Sequence, residues 1–184
     1  LFVEEIMTHV RKEGITLDAI AVSSGPGSYT GLRIGVSEAK GLSYGLGIPL
    51  IALPTPLVMA SMVAGRVGED DLLCPMIDAR RMEVYTTLYN RKGEKLEPVS
   101  AKIINNSSFK EYLESHNILF FGNGSLKCQP LITHPNALFR GPLKTSARYM
   151  LKLAEEKFKF NEFEDVAYFE PFYLKDFIAT VPVN

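Results

Sequence analysis

Several things are scarce in this chain of 184 residues, and each scarcity excludes something. There are two cysteines, Cys74 and Cys128, far apart and outside any C-x-x-C pair. That argues against a zinc knuckle and a disulfide framework, and fits a reducing cytosol. The three histidines, His9, His116 and His134, never stand three or four residues from one another, so no helix face carries a two-histidine metal site. No apolar run approaches the roughly 20 residues of a membrane span. The first residues show no signal-peptide pattern. Charge of one sign is missing too: 20 basic residues face 21 acidic ones, for a net charge of −1. A chain that grips nucleic acid unaided usually has a basic excess, so weak tRNA binding by this chain alone is expected.

The hydrophobic fraction is 46%, enough for a packed core. Val3, Ile6, Met7 and Val10 share one helical face, so the sequence opens within or at the start of an amphipathic helix, and a missing upstream segment is expected. Gly14 is a candidate left-handed cap for that helix. Residues 18–23 read as a buried strand and 30–46 as a helix, with Ser28 or Thr30 as N-cap and Gly47 as its end. Residues 48–53 read as the next strand; Thr55 and Pro56 then supply the N-cap and first position of an apolar helix reaching about residue 67. Strand–helix alternation of this kind implies βαβ units and a parallel sheet. Strands are expected at 72–78, 82–90 and 118–121, with a hairpin turn at 90–95. Ser108 and Glu111 suit a capping box. Thr145 is a candidate cap for a helix reaching about residue 157, and the aromatic tail Pro171-Phe172-Tyr173-Leu174 is expected to pack back onto the body.

Three segments bear on function. Gly25, Gly27, Ser28 and Thr30 lie in a loop between strand and helix, where backbone amides could hold phosphate. The loop matches neither the Walker pattern nor G-x-G-x-x-G, and a plain structural turn between strand and helix is the favoured explanation. It is not a G-x-S-x-G nucleophile elbow either. Asp78 and Glu83 flank Arg80 and Arg81 at a strand end. Paired carboxylates can serve acid–base chemistry, but arginines between them suit exposed ion pairs that hold the turn. The 30–46 helix is the odd element. Leu32, Val36, Ala39 and Leu46 form a core stripe; Gly31, Gly35, Ala39 and Ser43 form one small-residue stripe, and Ser37, Gly41 and Gly45 another. Gly35 and Gly41 together cost about 2 kcal/mol of helix stability relative to alanine. Packing on its own sheet accounts for one stripe; the second implies a close-approaching partner helix, with Leu42 and Tyr44 as apolar anchors.

The run Ala21-Val22-Ser23-Ser24-Gly25-Pro26-Gly27-Ser28-Tyr29-Thr30-Gly31-Leu32-Arg33-Ile34-Gly35 resembles the signature of the TsaB (YeaZ) family. Ile77-Asp78-Ala79-Arg80-Arg81 followed by Glu83-Val84-Tyr85 is similar to that family's second hallmark, and Pro171-Phe172-Tyr173-Leu174-Lys175 to its C-terminal motif. The resemblance implies an α/β, actin-like (sugar-kinase-like) fold of two lobes with mixed sheets flanked by helices, the first lobe lacking its leading strands. The lobes are expected at 1–90 and 91–184. It further implies a non-catalytic, cytoplasmic paralogue of TsaD that pairs with TsaD through the helix bearing Gly31, Gly35, Ser37, Gly41, Leu42, Tyr44 and Gly45. TsaE would join them, and a homodimer would form when the chain is alone. On this reading the chain binds no cofactor by itself, nucleotide enters only in the complex, and tRNA is reached through the complex. A glycoprotease-like hydrolase or a small-molecule kinase on the same fold are the competing readings; the first needs a metal site or activated nucleophile, the second complete phosphate loops and a catalytic carboxylate.

Overall fold

The computed structural model describes residues 2–175. Leu1, the first residue of the expected opening helix, and the last nine residues of the expected second lobe lie outside the described residues. The element order is α1 (Phe2–Lys12), β1 (Ile20–Gly25), α2 (Tyr29–Leu46), β2 (Leu50–Pro54), α3 (Thr55–Ser61), a 3-10 turn (Ala64–Arg66), β3 (Leu72–Asp78), β4 (Glu83–Thr86), β5 (Ser100–Ile103), α4 (Lys110–Leu113), β6 (Ile118–Phe121), α5 (Ser125–Cys128), β7 (Ala137–Arg140), a second 3-10 turn (Ala147–Met150) and α6 (Leu151–Lys159).

Two sheets organise the chain. β1 and β2 pair in parallel across α2, the expected βαβ unit. The second sheet runs β5-β4-β3-β6-β7, with antiparallel pairs at β5-β4-β3 and parallel pairs at β3-β6-β7. The mixed α/β architecture is therefore as expected, but the lobe boundary at residue 90 is not. β3 and β4 hydrogen-bond to the later strands, so a cut at 90 runs through the second sheet. The turn after Tyr89 is a local hairpin, closed by Gly93 donating to the Asn90 carbonyl at 3.0 Å. The chain also returns: Glu164 bridges Leu50, and α6 lies against β2.

Alternation along β3 and β6 divides the core. Leu72, Cys74 and Met76 face Phe109, Leu113, Ile118, Phe120 and Cys128 on one side. Leu73 and Phe121 meet Met59, Ala60 and Val63 on the other. Ile51 and Leu53 carry Val58 with Leu153 and Ala154 of α6. Both cysteines are buried free thiols, and burial pushes the Cys74 thiol up to about 12.

Several local expectations need correcting. Thr55 does not cap α3. Its hydroxyl instead accepts the Gly25 amide at 3.1 Å and shares a 2.7 Å bond with the Ser23 hydroxyl, tying α3 to β1. Apolar helix continues only to Ser61. Ser108 accepts from the Asn105 amide, so no capping box forms, and α4 starts at Phe109 in a left-handed conformation. Ser146, not Thr145, caps the turn that leads into α6. On α2, Val36 and Ala39 are core, but Leu46 is 46% exposed beside the helix end. β5 and β7 were not anticipated. In α1 the predicted apolar face is only partly covered: Val3, Met7 and Val10 are half-buried and Ile6 is exposed.

Candidate functional site on α2 and the neighbouring strand ends

α2 begins where Ser28 accepts the Gly31 amide at 3.3 Å and ends where Gly47 turns left-handed. Its inward side is small and polar-compatible. Val36, Ala39 and Ser43 are buried, and the Ser43 hydroxyl donates to the Ile48 carbonyl beyond the helix end. Of the first small-residue stripe, Ala39 and Ser43 are thus satisfied within the chain, whereas Gly31 and Gly35 are not packed against it. The other stripe is not satisfied there. Ser37, Gly41 and Gly45 are exposed, and a Cβ built on Gly35, Gly41 or Gly45 would find no atom within 4 Å. Gly31 stands at the solvent side of the cap, and Leu42 is half-buried. Tyr44 is 84% exposed, and Ile34, which sequence reasoning left out, is 63% exposed on the same face. The i, i+3, i+4, i+7 spacing that would have revealed it is there at Ile34, Ser37, Glu38 and Gly41.

One flank of this face is built by the tail. The Lys40 ammonium donates to the carbonyls of Phe169 at 2.8 Å and Ala167 at 3.3 Å. Asp165 caps the same turn by accepting the Ala167 and Tyr168 amides, which leaves Tyr168 85% exposed. Further on, Phe172 donates its amide to the Ser24 carbonyl at 2.8 Å, and the Tyr173 ring packs on Tyr29 with centroids 4.9 Å apart. The tail does pack back onto the body, as its aromatic sequence implied.

That packing covers the loop after β1. Ser24, Gly25 and Pro26 are buried. Gly25, at φ +107, has room for no side chain: a Cβ there would sit 2.8 Å from the Phe172 carbonyl oxygen. Its amide is committed to Thr55 and the Ser28 hydroxyl to its helix cap, while Gly27 and Thr30 lie nearer the surface.

The segment Asp78 to Glu83 differs from expectation in its ion pairs. Among the described residues the arginines do not neutralise the flanking carboxylates. Lys127 pairs with Asp78, and Lys175 pairs with Glu83. The Lys127 ammonium also donates to the carbonyls of Arg81 at 2.6 Å and Glu83 at 2.8 Å. The Asp78 carboxylate accepts the Arg80 amide at 3.0 Å as well. The hydrogen bond from Lys127, followed by that from the Arg80 amide, holds the Asp78 carboxyl below its ordinary value. Arg80 and Arg81 are exposed, both in the left-handed region. Among the described residues no three His, Cys, Asp or Glu side chains converge as a metal site would require, and no helix is long and apolar enough to cross a membrane.

The family model described as TsaD, tRNA N6-adenosine threonylcarbamoyltransferase, matches residues 1–182. The tRNA threonylcarbamoyladenosine biosynthesis protein TsaB of Escherichia coli strain K12 is 30% identical over 185 positions, covering 96% of this chain and 79% of that protein. TsaB of Bacillus subtilis strain 168 is 46% identical over 83 residues, a match that takes in 45% of this chain and only 35% of that relative's length. In three dimensions, YeaZ from Pseudomonas aeruginosa superposes with a TM-score of 0.73 at 23% identity, over 94% of this chain and 82% of that one. A second structure from that organism, an uncharacterized protein with similarity to peptidase YEAZ, gives a TM-score of 0.77. These two likenesses carry the fold, an actin-like α/β architecture, while the sequence matches carry the kinship: the chain belongs to the TsaB family.

Proposed function

We propose that this chain is a non-catalytic accessory subunit in threonylcarbamoylation of the adenosine next to the tRNA anticodon. Its task is to dock a TsaD-type partner on the outer face of α2, with TsaE joining the pair. The observation that carries this reading is the uncovered glycine face: Gly41 and Gly45 have nothing above them, and Ile34 and Tyr44 stand exposed beside them. Interior glycines weaken a helix, and a sequence tolerates them where another backbone must come close. A partner of the same fold offers a similar helix, so a second copy of this chain takes the face when TsaD is absent. The chain works in the cytoplasm, meets tRNA only through the assembled complex, and takes part in nucleotide binding only there.

The test is Gly41→Leu, read by pulldown with TsaD beside a thermal melt of the variant alone. Loss of pairing with an unchanged or raised melting temperature is the expected result, because replacing a helical glycine favours the helix by up to about 1 kcal/mol. Unchanged pairing removes α2 from the interface.

A further inference from the structure

At the carboxyl end of β3 the backbone enters the left-handed region twice in succession, at Arg80 (φ 70) and Arg81 (φ 47). Residues with a Cβ visit that region singly, and a consecutive pair persists only where its surroundings over-determine it. Lys127 supplies that constraint by binding the Asp78 carboxylate and the carbonyls of Arg81 and Glu83 together. Asn123 adds to it, accepting the Asp78 amide at 3.0 Å. A turn that needed only to reverse the chain would use glycine or asparagine here.

The charges around the turn are arranged as unusually as its backbone. Each carboxylate in the segment is taken by a lysine from elsewhere in the chain, Asp78 by Lys127 and Glu83 by Lys175. Both arginines are exposed, and among the described residues neither guanidinium has an ion pair or a hydrogen bond. The local acids are thus neutralised, and two exposed, unpaired cations remain at the tip. The tip also lies where open α/β sheets place their ligands, outside the carboxyl end of β3, beyond the point where the neighbouring parallel strand β6 ends opposite Pro75.

We infer that the Arg80–Arg81 turn is a phosphate-binding site, its two guanidiniums taking separate phosphoryl oxyanions from the solvent side. The guanidinium fork matches phosphate geometry and stays charged at every physiological pH. A single carboxylate is saturated by one fork. Two unpaired guanidiniums suit a ligand carrying several oxyanions, either a free polyphosphate or a nucleic-acid backbone. The nucleic-acid source rests on the function proposed above; the free polyphosphate source does not.

The test uses Arg80→Gly with Arg81→Gly in the full chain. Glycine keeps the left-handed backbone without strain, so the melting temperature is expected to hold or rise while both guanidiniums are lost. In the first arm, pyrophosphate is titrated into the isolated protein and backbone amide shifts are followed by NMR. In the second, the affinity of the assembled TsaD–TsaE complex for tRNA is measured against salt concentration. Saturable shifts at residues 78–83 that vanish in the variant, with an unchanged salt slope, identify a free polyphosphate. A slope shallower by about 2, at roughly 0.9 per phosphate contact, identifies the tRNA backbone. Wild-type behaviour in both arms overturns the inference, and so does a variant that loses only its grip on TsaD, since that result assigns the arginines to a protein carboxylate. If no complex assembles, the function proposed above fails while the pyrophosphate arm still decides the site.

Discussion

The Lys40 ammonium, on α2, donates to the carbonyl of Phe169 at 2.8 Å, 129 residues further along the chain. One side chain thus fixes the tail against the helix whose outer face is the proposed docking surface. Lys40→Met keeps the aliphatic stem and removes both charge-assisted bonds, to Phe169 and Ala167. A hydrogen bond to a charged group contributes about 1.5–3 kcal/mol, and the partial exposure here places the pair at the low end. The expected outcome is a melting temperature lower by roughly 3–6 °C, given the usual few degrees per kcal/mol at this chain length. Proteolysis should also quicken at residues 161–170. An unchanged melt and cleavage pattern would show that Lys40 does not anchor the tail.

Gly25, at the end of β1, and Gly41, inside α2, should respond to the same substitution with opposite signs. Gly25→Ala forces a Cβ to 2.8 Å from the Phe172 carbonyl oxygen, at a backbone angle of φ +107 that side chains rarely adopt. A loss of about 1–3 kcal/mol is expected, with the tail displaced from Ser24. Gly41→Ala meets nothing within 4 Å and removes an interior helical glycine. It should stabilise the isolated chain by up to about 1 kcal/mol. Denaturant midpoints of the two variants decide both signs.

The Asp78–Lys127 pair gives a pH signature. The carboxyl is held below its ordinary value of 3.8, chiefly by the hydrogen bond from Lys127. A depressed folded value means that the pair's contribution is complete above the ordinary value and disappears as pH falls through the folded one. Asp78→Asn should therefore be less stable than the parent at pH 7, and the gap should close as pH falls below 3.8 and through the depressed folded value. The side chain is 45% exposed, so screening limits the gap to about 1 kcal/mol or less. Lys127→Met should move the Asp78 titration, followed by carboxyl NMR, back up towards 3.8.

The parts legible in the sequence were those governed by local chemistry. Residues 18–53 alternate apolar runs with turn glycines, and they fold as β1, α2 and β2 with Ser28 and Gly47 at the helix ends. Even the two faces of α2 were readable, because small residues at spacing four stay on one side of a 3.6-residue helix and a two-residue offset puts the second stripe on the other. What failed was tertiary. Thr55 had the local credentials of a cap, but its hydroxyl was worth more across the sheet, satisfying Gly25 and Ser23. Asp78 and Glu83 had arginines two residues away, yet their partners come from 49 and 92 residues further along. β7 is a four-residue strand whose burial alternates, and among the described residues it pairs with β6 alone, so its own sequence carries little signal. The boundary at residue 90 failed for a related reason: a hairpin turn looks alike whether it ends a lobe or lies within a sheet.

Tyr44 separates docking from folding most cleanly. The ring stands on the outer side of α2 and is 84% exposed, so the isolated chain gains almost nothing from it. Tyr44→Ser should change stability by no more than about 0.5 kcal/mol, the usual range for surface positions without special contacts. At an interface the arithmetic differs. An aromatic anchor buried against a partner commonly contributes 1–2 kcal/mol or more, which is roughly a tenfold loss of affinity on truncation. The measurement is a titration of TsaD by calorimetry, with a melt of each chain beside it. A tenfold weaker complex at constant melting temperature is the expected result. Equal affinity would place the anchor elsewhere on the face, with Ile34 as the next residue to truncate, because it is the other large apolar side chain left standing beside Gly41.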